Sequence, residues 1–363
     1  MHLSERERQH LLTRQHPPTT DLSQVAHLLQ PFWNAALRFV PARMAPNTLT
    51  VLGSLAVVVP TAVLLWCSPD LRQPVPPLVL LLQIVGIFTF QTLDALDGKQ
   101  ARRTGASSPL GSWLDHALDI LTMQLVLLGT CGAVQAGLGV ATWALLAGTI
   151  FNNHCLHWES SHTRMLILGN GTSIAEAQVS AMAVHAVAML VPTLFPSSLS
   201  FAGVDVTVGA VVTVGSITFV GGAGIVGSVS RALAAGVSRA ESARQLVGIV
   251  VLLVPATIAV VQLNDEFPRA LLGAGVLLVG ARAIGRLVLE NLLLRRPSTI
   301  DGPIVMSALI SIAAVAVPTQ AVVCAALSLG VGVVSIAAFY VQASRGLARE
   351  LSERIFVLST ERR

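Results

Sequence analysis

Long apolar stretches recur along the chain, at about residues 47–67, 77–96, 109–131, 136–157, 176–194, 207–228, 244–262, 268–290, 303–317 and 319–341. Most reach the roughly 20 residues that an α-helix needs to cross a bilayer. The ninth and tenth are separated only by Pro318, so they form either two spans or one broken helical hairpin. Charged residues make up 12% of the 363, against about 25% in an average soluble domain. So little charge cannot cover a soluble surface of this size. An ordinary cytosolic enzyme, a disordered chain and a secreted disulfide scaffold are excluded. The expected fold is all-α: a polytopic membrane protein with about ten transmembrane helices.

The N-terminus adds an interfacial element. Met1 to Gln15 is charged and has no apolar h-region, so insertion is expected to come from internal spans. Residues 21–39 are apolar at helical spacing and polar on the other face, which predicts an interfacial amphipathic helix. Pro31 is expected to start a second short helix there. With ten spans, all 23 basic residues except Arg72 and Arg269 fall on one side of the membrane. The positive-inside rule makes that side cytosolic, with both termini on it. Cys67, Cys131, Cys155 and Cys324 lie in apolar stretches without C-x-x-C spacing and read as buried thiols. Small-residue spacing from Gly209 to Gly227 suits close helix packing or a dimer face.

Four carboxylates stand where a span should carry none. Asp94 and Asp97 end the second stretch, and Asp115 and Asp119 lie inside the third. Ionisable groups in spans are costly and mark function. Spacings of three and four residues put each pair on one helix face. The short connection from Gly98 to Ser108 makes the two helices antiparallel neighbours. Four convergent acids repel unless a hard cation sits among them: Mg²⁺, Mn²⁺ or Ca²⁺. Two such ions form an arrangement used for phosphoryl displacement. Gly98 and Gly111 clear space for a ligand, Ala101 keeps the wall low, and Arg102 offers a planar fork for a phosphate. Lys99, the lone lysine, lies here as well, either adding positive charge or as a solvated loop residue.

Asp94-x-x-Asp97-Gly98-x-x-Ala101-Arg102, eight residues, Gly111-x-x-x-Asp115-x-x-x-Asp119 resembles the CDP-alcohol phosphotransferase signature at every fixed position. Asn47 in Ala45-Pro46-Asn47-Thr48, the run Lys99 to Arg103, His157-Trp158-Glu159 and Leu168-Gly169-Asn170-Gly171 resemble the eukaryotic choline/ethanolamine phosphotransferase branch. The resemblance is dense over about residues 31–180. It departs at Ala117, where the branch has glycine, at Thr172 to Glu176, and at Leu289-Glu290-Asn291.

The resemblance implies transfer of phosphocholine or phosphoethanolamine from CDP-choline or CDP-ethanolamine to diacylglycerol, with CMP released. It implies Asp94, Asp97 and Asp115 as ligands of two Mg²⁺ ions, or Mn²⁺ in their place. Asp119 would stand beside them as a further ligand and as the base for the lipid hydroxyl. Asn47, Gly98, Ala101, Arg102 and Gly111 would shape the nucleotide pocket, and Glu159 the lipid or amino-alcohol pocket. The endoplasmic reticulum membrane, with the Golgi as alternative, a cytosol-facing site, contact with membrane lipids and a homodimer follow from it too. No nucleic-acid partner is expected.

The chain is expected to divide into a cytosolic segment (1–44), catalytic helices (45–200), additional spans for packing, lipid and dimer contacts (201–345) and a cytosolic tail (346–363). His116 should point away from the Asp115/Asp119 face. The stretch Asn153 to Glu159 could hold a transition metal only if a second cluster completed it. With one tyrosine and five tryptophans, the chain is poor in rings for a quaternary ammonium, which leans toward ethanolamine. The alternatives are an inositol- or glycerophosphate-using phosphatidyltransferase and an ion-coupled transporter. Against the latter, the acids cluster on two neighbouring helices and no inverted repeat is evident.

Overall fold

Helix starts are marked by caps that the sequence supplies. Ser108, Ser173, Ser238 and Asp301 each accept a backbone hydrogen bond from the residue three positions on. Proline enters the first turn after Ser108 and Asp301, where its missing N–H costs nothing. The computed structural model describes residues 3–13, 19–168, 173–201, 204–216, 221–352 and 355–356. Residues 169–172, part of the branch resemblance, and most of the tail beyond Ser352 lie outside the described residues.

In chain order the helices are α1 (Glu5–Thr13), α2 (Gln24–Ala36), α3 (Pro46–Cys67), α4 (Pro77–Thr104), α5 (Pro109–Ala133), α6 (Val140–Thr163) and α7 (Ile174–Leu190). They continue with α8 (Val208–Ser216), α9 (Ala223–Ala234), α10 (Arg239–Gln262), α11 (Glu266–Leu292), α12 (Gly302–Ala316) and α13 (Ala321–Glu350). Two short strands, β1 (Thr19–Asp21) and β2 (Leu166–Leu168), pair in parallel. A hairpin of β3 (Ser198–Phe201) and β4 (Val204–Thr207) precedes α8.

The chain is an all-α polytopic membrane protein. Among the described residues six helices are long and apolar enough to cross a bilayer: α3, α4, α5, α10, α11 and the segment Pro318–Glu350 that contains α13. The other four expected stretches are also helical, but none meets that standard by itself. α6 is long but carries Asn152, Asn153, His154, His157 and Glu159, α7 and α12 are short, and the sixth stretch divides into α8 and α9 around residues 217–220, which are not described. The ninth and tenth stretches are two separate helices joined by a 3₁₀ turn at Pro318–Gln320.

The helices form two groups. α3 packs along α4 and α5, and α4 along α7, around Val57, Ile87, Phe90 and Val126. At Gly86 the α3–α4 approach is so close that a Cβ would collide with the Ala56 carbonyl oxygen. The second group surrounds α11, which packs on α13, α6 and α5 and is buried along most of its length. Bonds across the groups fix their relation: Trp113 Nε1 donates to Gly285 O at 2.9 Å, and Tyr340 Oη donates to Ala117 O at 2.9 Å.

Two expectations about the N-terminus change. α2 runs unbroken through Pro31 rather than restarting there. Ala26 and Trp33, seven residues apart on one face, are both buried, and that packing carries the helix past one missing hydrogen bond. α1 is a further helix, opened by a reciprocal cap in which Ser4 N donates to Glu7 Oε2 and Glu7 N to Ser4 Oγ. Arg295, just beyond α11, donates to Glu7 at 2.6 Å and pins α1 to the end of the α11 group. Cys131, Cys155 and Cys324 are buried free thiols and Cys67 is half-buried.

Candidate active site

The turn between α4 and α5 is tight. Gly105, at φ +65°, ends α4 in the left-handed conformation that suits glycine, and Ser108 caps α5. The two helices then diverge. α4 packs chiefly on α3 and α7, and α5 on α3 and α11, so the acids face one another across a gap rather than a sealed helix pair.

Carboxylate oxygens of Asp94, Asp97 and Asp115 lie within 4.8 Å of one another in that gap. Asp97, 7% exposed, accepts a hydrogen bond from Thr50 Oγ1 at 2.5 Å. The Oδ1 atoms of Asp115 and Asp119 are buried and have no hydrogen-bond partner. A cation at the centre stabilises buried carboxylates at this spacing, as a shared proton also does. The donor set is all oxygen, which suits a hard divalent ion. Among the described residues this is the one cluster of at least three potential ligands. Asp119 stands outside the close trio.

Two cavities meet at these acids. The smaller, of about 220 Å³, includes Asn47, Ala101, Ser108 and Gly111 in its wall. The larger, of about 580 Å³, passes Asp94 and Asp119 and continues between apolar side chains such as Met123, Leu127 and Val184. Asp97, Gly98, Arg102 and Asp115 line both. Within the smaller cavity Asn47 Nδ2 donates to Ile355 O at 2.6 Å. A Cβ at Gly111 would stand 3.2 Å from Asn47 Oδ1, so any side chain there crowds the asparagine. The structure therefore brings together every site residue expected from the sequence except Glu159. Glu159 is 1% exposed, lies outside both cavities, and is held by Arg231 through bonds of 2.5 and 2.7 Å.

Two histidines also stand at the site. His116 does not point away: it lines both cavities beside Asp115, with its ring 5.6 Å from that of His157. His157 lines both as well, and Asn291 on α11 donates to its carbonyl at 2.8 Å. Lys99 turns to α2, donating to Gln30 Oε1 at 2.7 Å and Asn34 Oδ1 at 2.8 Å. Arg103 donates to Leu37 O and Val40 O, and the fully buried Gln100 to Pro41 O and Met44 O. The residues between the fixed motif positions thus fasten the N-terminal segment over the gap. Their only sequence signal was polarity on the motif helix facing away from the acids.

Residues 43–219 match the family model for CDP-alcohol phosphatidyltransferase. The chain is similar to cholinephosphotransferase 1 of Danio rerio, with 36% identity over 154 residues, 42% of this chain and 40% of the relative. It is 35% identical over 178 residues to cholinephosphotransferase 1 of Xenopus laevis, covering 48% of this chain and 44% of the relative. The Homo sapiens protein of that name is 37% identical over 154 residues, 42% of this chain and 37% of its own length. The chain spans less than half the length of these relatives in each case. All seven Asp, Gly, Ala and Arg positions of the motif from Asp94 to Asp115, and Asp119 after them, fall inside the matched region. Through that region, just under half of its length, the chain is similar to the CDP-alcohol phosphatidyltransferase family.

Proposed function

We propose that the protein transfers phosphocholine or phosphoethanolamine from a CDP-alcohol to diacylglycerol, forming the phospholipid and CMP. The observation that carries this is the position of the acids where two cavities meet, the larger of which runs on between apolar side chains such as Met123, Leu127 and Val184. A nucleotide and a lipid can then reach one centre through separate cavities. The names of the similar proteins favour choline. Among the described cavity-lining residues the rings are Trp33, His116 and His157.

Asp94, Asp97 and Asp115 would hold the divalent cation, Mg²⁺ or Mn²⁺, which supplies charge neutralisation at the diphosphate when bound. Room for a second ion extends toward Asp119, whose Oδ1 is unpartnered. Arg102, shared by both cavities, would orient the diphosphate through its planar fork. Asp119 accepts the proton of the lipid hydroxyl. The hydroxyl oxygen forms a bond to the phosphorus that carries the amino alcohol. The anhydride bond from that phosphorus to the CMP phosphate breaks, and CMP leaves through the smaller cavity. Orientation and location are part of the proposal: the distribution of arginine supports a site facing the cytosol, and the family resemblance an endoplasmic reticulum membrane.

The test uses the full chain in lipid nanodiscs with diacylglycerol, Mg²⁺ and labelled CDP-choline or CDP-ethanolamine. Labelled phospholipid and CMP should appear together, and Asp119→Asn should lower kcat by a factor of about 10²–10⁴, the usual contribution of a general base. Absence of transfer from either donor, or full activity in Asp119→Asn, would refute the proposal.

A further inference from the structure

The donor's cation needs a partner that the aspartate cluster cannot be. One further carboxylate lines the larger cavity among the described residues: Glu176, in the first turn of α7. Its Oε1 is engaged, accepting from Ser23 Oγ at 2.8 Å and from Val25 N at 3.3 Å at the start of α2. Its Oε2 is buried and has no hydrogen-bond partner. Beside it, Gln91 on α4 is 3% exposed, donates Nε2 to Ala175 O at 3.3 Å and leaves a buried Oε1 unpartnered. Trp33, the one non-histidine ring in that cavity among the described residues, packs in the same apolar cluster as Ala175. Two unsatisfied acceptors and one aromatic ring thus share a wall, with no cationic group among the described residues bonded to either acceptor. Lys99, on the same cavity, spends its ammonium on Gln30 and Asn34. Buried acceptors without donors are costly, and an ammonium beside a carboxylate and a ring relieves that cost.

The location suits the reach of the substrate. Gln91 precedes Asp94 by one helical turn, about 4.5 Å along the axis. A two-carbon amino alcohol whose phosphate lies at the aspartates extends its nitrogen over a comparable span. We infer that Glu176, with Gln91 and Trp33, forms the subsite for the ammonium of the CDP-alcohol. This rests on the proposed function, and it assigns donor recognition to α7 and α2 rather than to Glu159.

Glu176→Gln is the informative variant, because the amide oxygen still caps α2 while the charge is lost. Isothermal titration of CDP-choline, CDP-ethanolamine and CMP into the full chain, in nanodiscs with Mg²⁺ and without diacylglycerol, reads the subsite apart from turnover. CMP shares the nucleotide and lacks the ammonium. The expected result is a Kd for both cationic donors raised about tenfold or more, as for loss of one charge-assisted contact, with the Kd of CMP moved less than twofold. Trp33→Leu should weaken the choline donor more than the ethanolamine donor, and Gln91→Leu should weaken both; these two variants decide the matter if Glu176→Gln does not fold. Equal shifts for CMP and the donors, or no shift in any folded variant, overturn the subsite. Wild-type protein that discriminates donor from CMP but transfers nothing overturns the reaction and leaves the subsite standing. Transfer without loss of discrimination in the variants does the reverse.

Discussion

Removing the Glu159 carboxylate should unfold the protein more readily than it should impair its chemistry. Glu159 is 1% exposed, and both its oxygens accept bonds from Arg231, whose side chain is 26% exposed. Breaking a buried pair by deleting one partner costs about 3–5 kcal/mol, because the other charge stays behind unpaired. Arg231 keeps some contact with the larger cavity, which places Glu159→Leu near the low end, about 3 kcal/mol. Deleting both charges in Glu159→Leu/Arg231→Met removes the uncompensated charge and should return stability to within about 1 kcal/mol of wild type. The coupling between the two sites is then about 2 kcal/mol or more. Trp158, fully buried next in sequence and bonded through Nε1 to Gln245 at 2.7 Å, reports unfolding by its fluorescence. Denaturant titration of the four proteins in mixed micelles gives the cycle. A single variant as stable as wild type, or a double variant no more stable than the single, refutes the structural role. So does a fully stable Glu159→Leu that has lost turnover, since that result returns Glu159 to the donor site.

Two further outcomes follow from the same geometry. The Arg295 hydrogen bond, opposed by burial and supported by Ser4, lowers the Glu7 pKa from 4.5 to about 2. A depressed folded-state pKa gives stability that is present above the unfolded value and lost as pH falls through the folded one. Hydrogen exchange should therefore find α1 better protected in wild type than in Glu7→Gln at pH 6, with the difference shrinking between about pH 4.5 and pH 2; equal protection at pH 6 would refute the clamp. Mg²⁺ should raise the Tm of the wild-type protein, and EDTA or Asp115→Asn should remove most of that rise, whereas an unchanged Mg²⁺ response in Asp115→Asn would place the ion elsewhere.

The aspartates were legible because their constraint is local. Three- and four-residue spacing puts Asp94 with Asp97 and Asp115 with Asp119 on shared faces whatever the helices later pack against, and charge inside an apolar stretch is conspicuous. The small residues between them were legible for the same reason, since Gly98, Ala101 and Gly111 act on the helix that carries them. What fails is any statement about which faces meet. The direction of His116 was inferred from its own helix, yet the divergence of α5 from α4 and the approach of α6 put its ring against His157. Glu159 read as a substrate group because its partner lies 72 residues away, on a helix whose position no local pattern fixes.

Glu176 shows the same limit from the other side. In sequence it is an acid in the first turn of a helix after a capping serine, which is a routine place for one. Its unsatisfied oxygen exists only because β1 pairs with β2 and α2 is laid against the start of α7, so that one carboxylate oxygen is taken by the helix and the other is left facing a cavity. Gln91 acquires its orphan acceptor through the same contact, by giving its amide to Ala175. The aspartate half of the site is therefore written into one helical hairpin, while the half that would choose the alcohol is assembled from three segments that meet only when the chain has folded. Substitutions that change donor preference should accordingly fall on Trp33 of α2, Gln91 of α4 and Glu176 of α7, and leave the four aspartates unaltered.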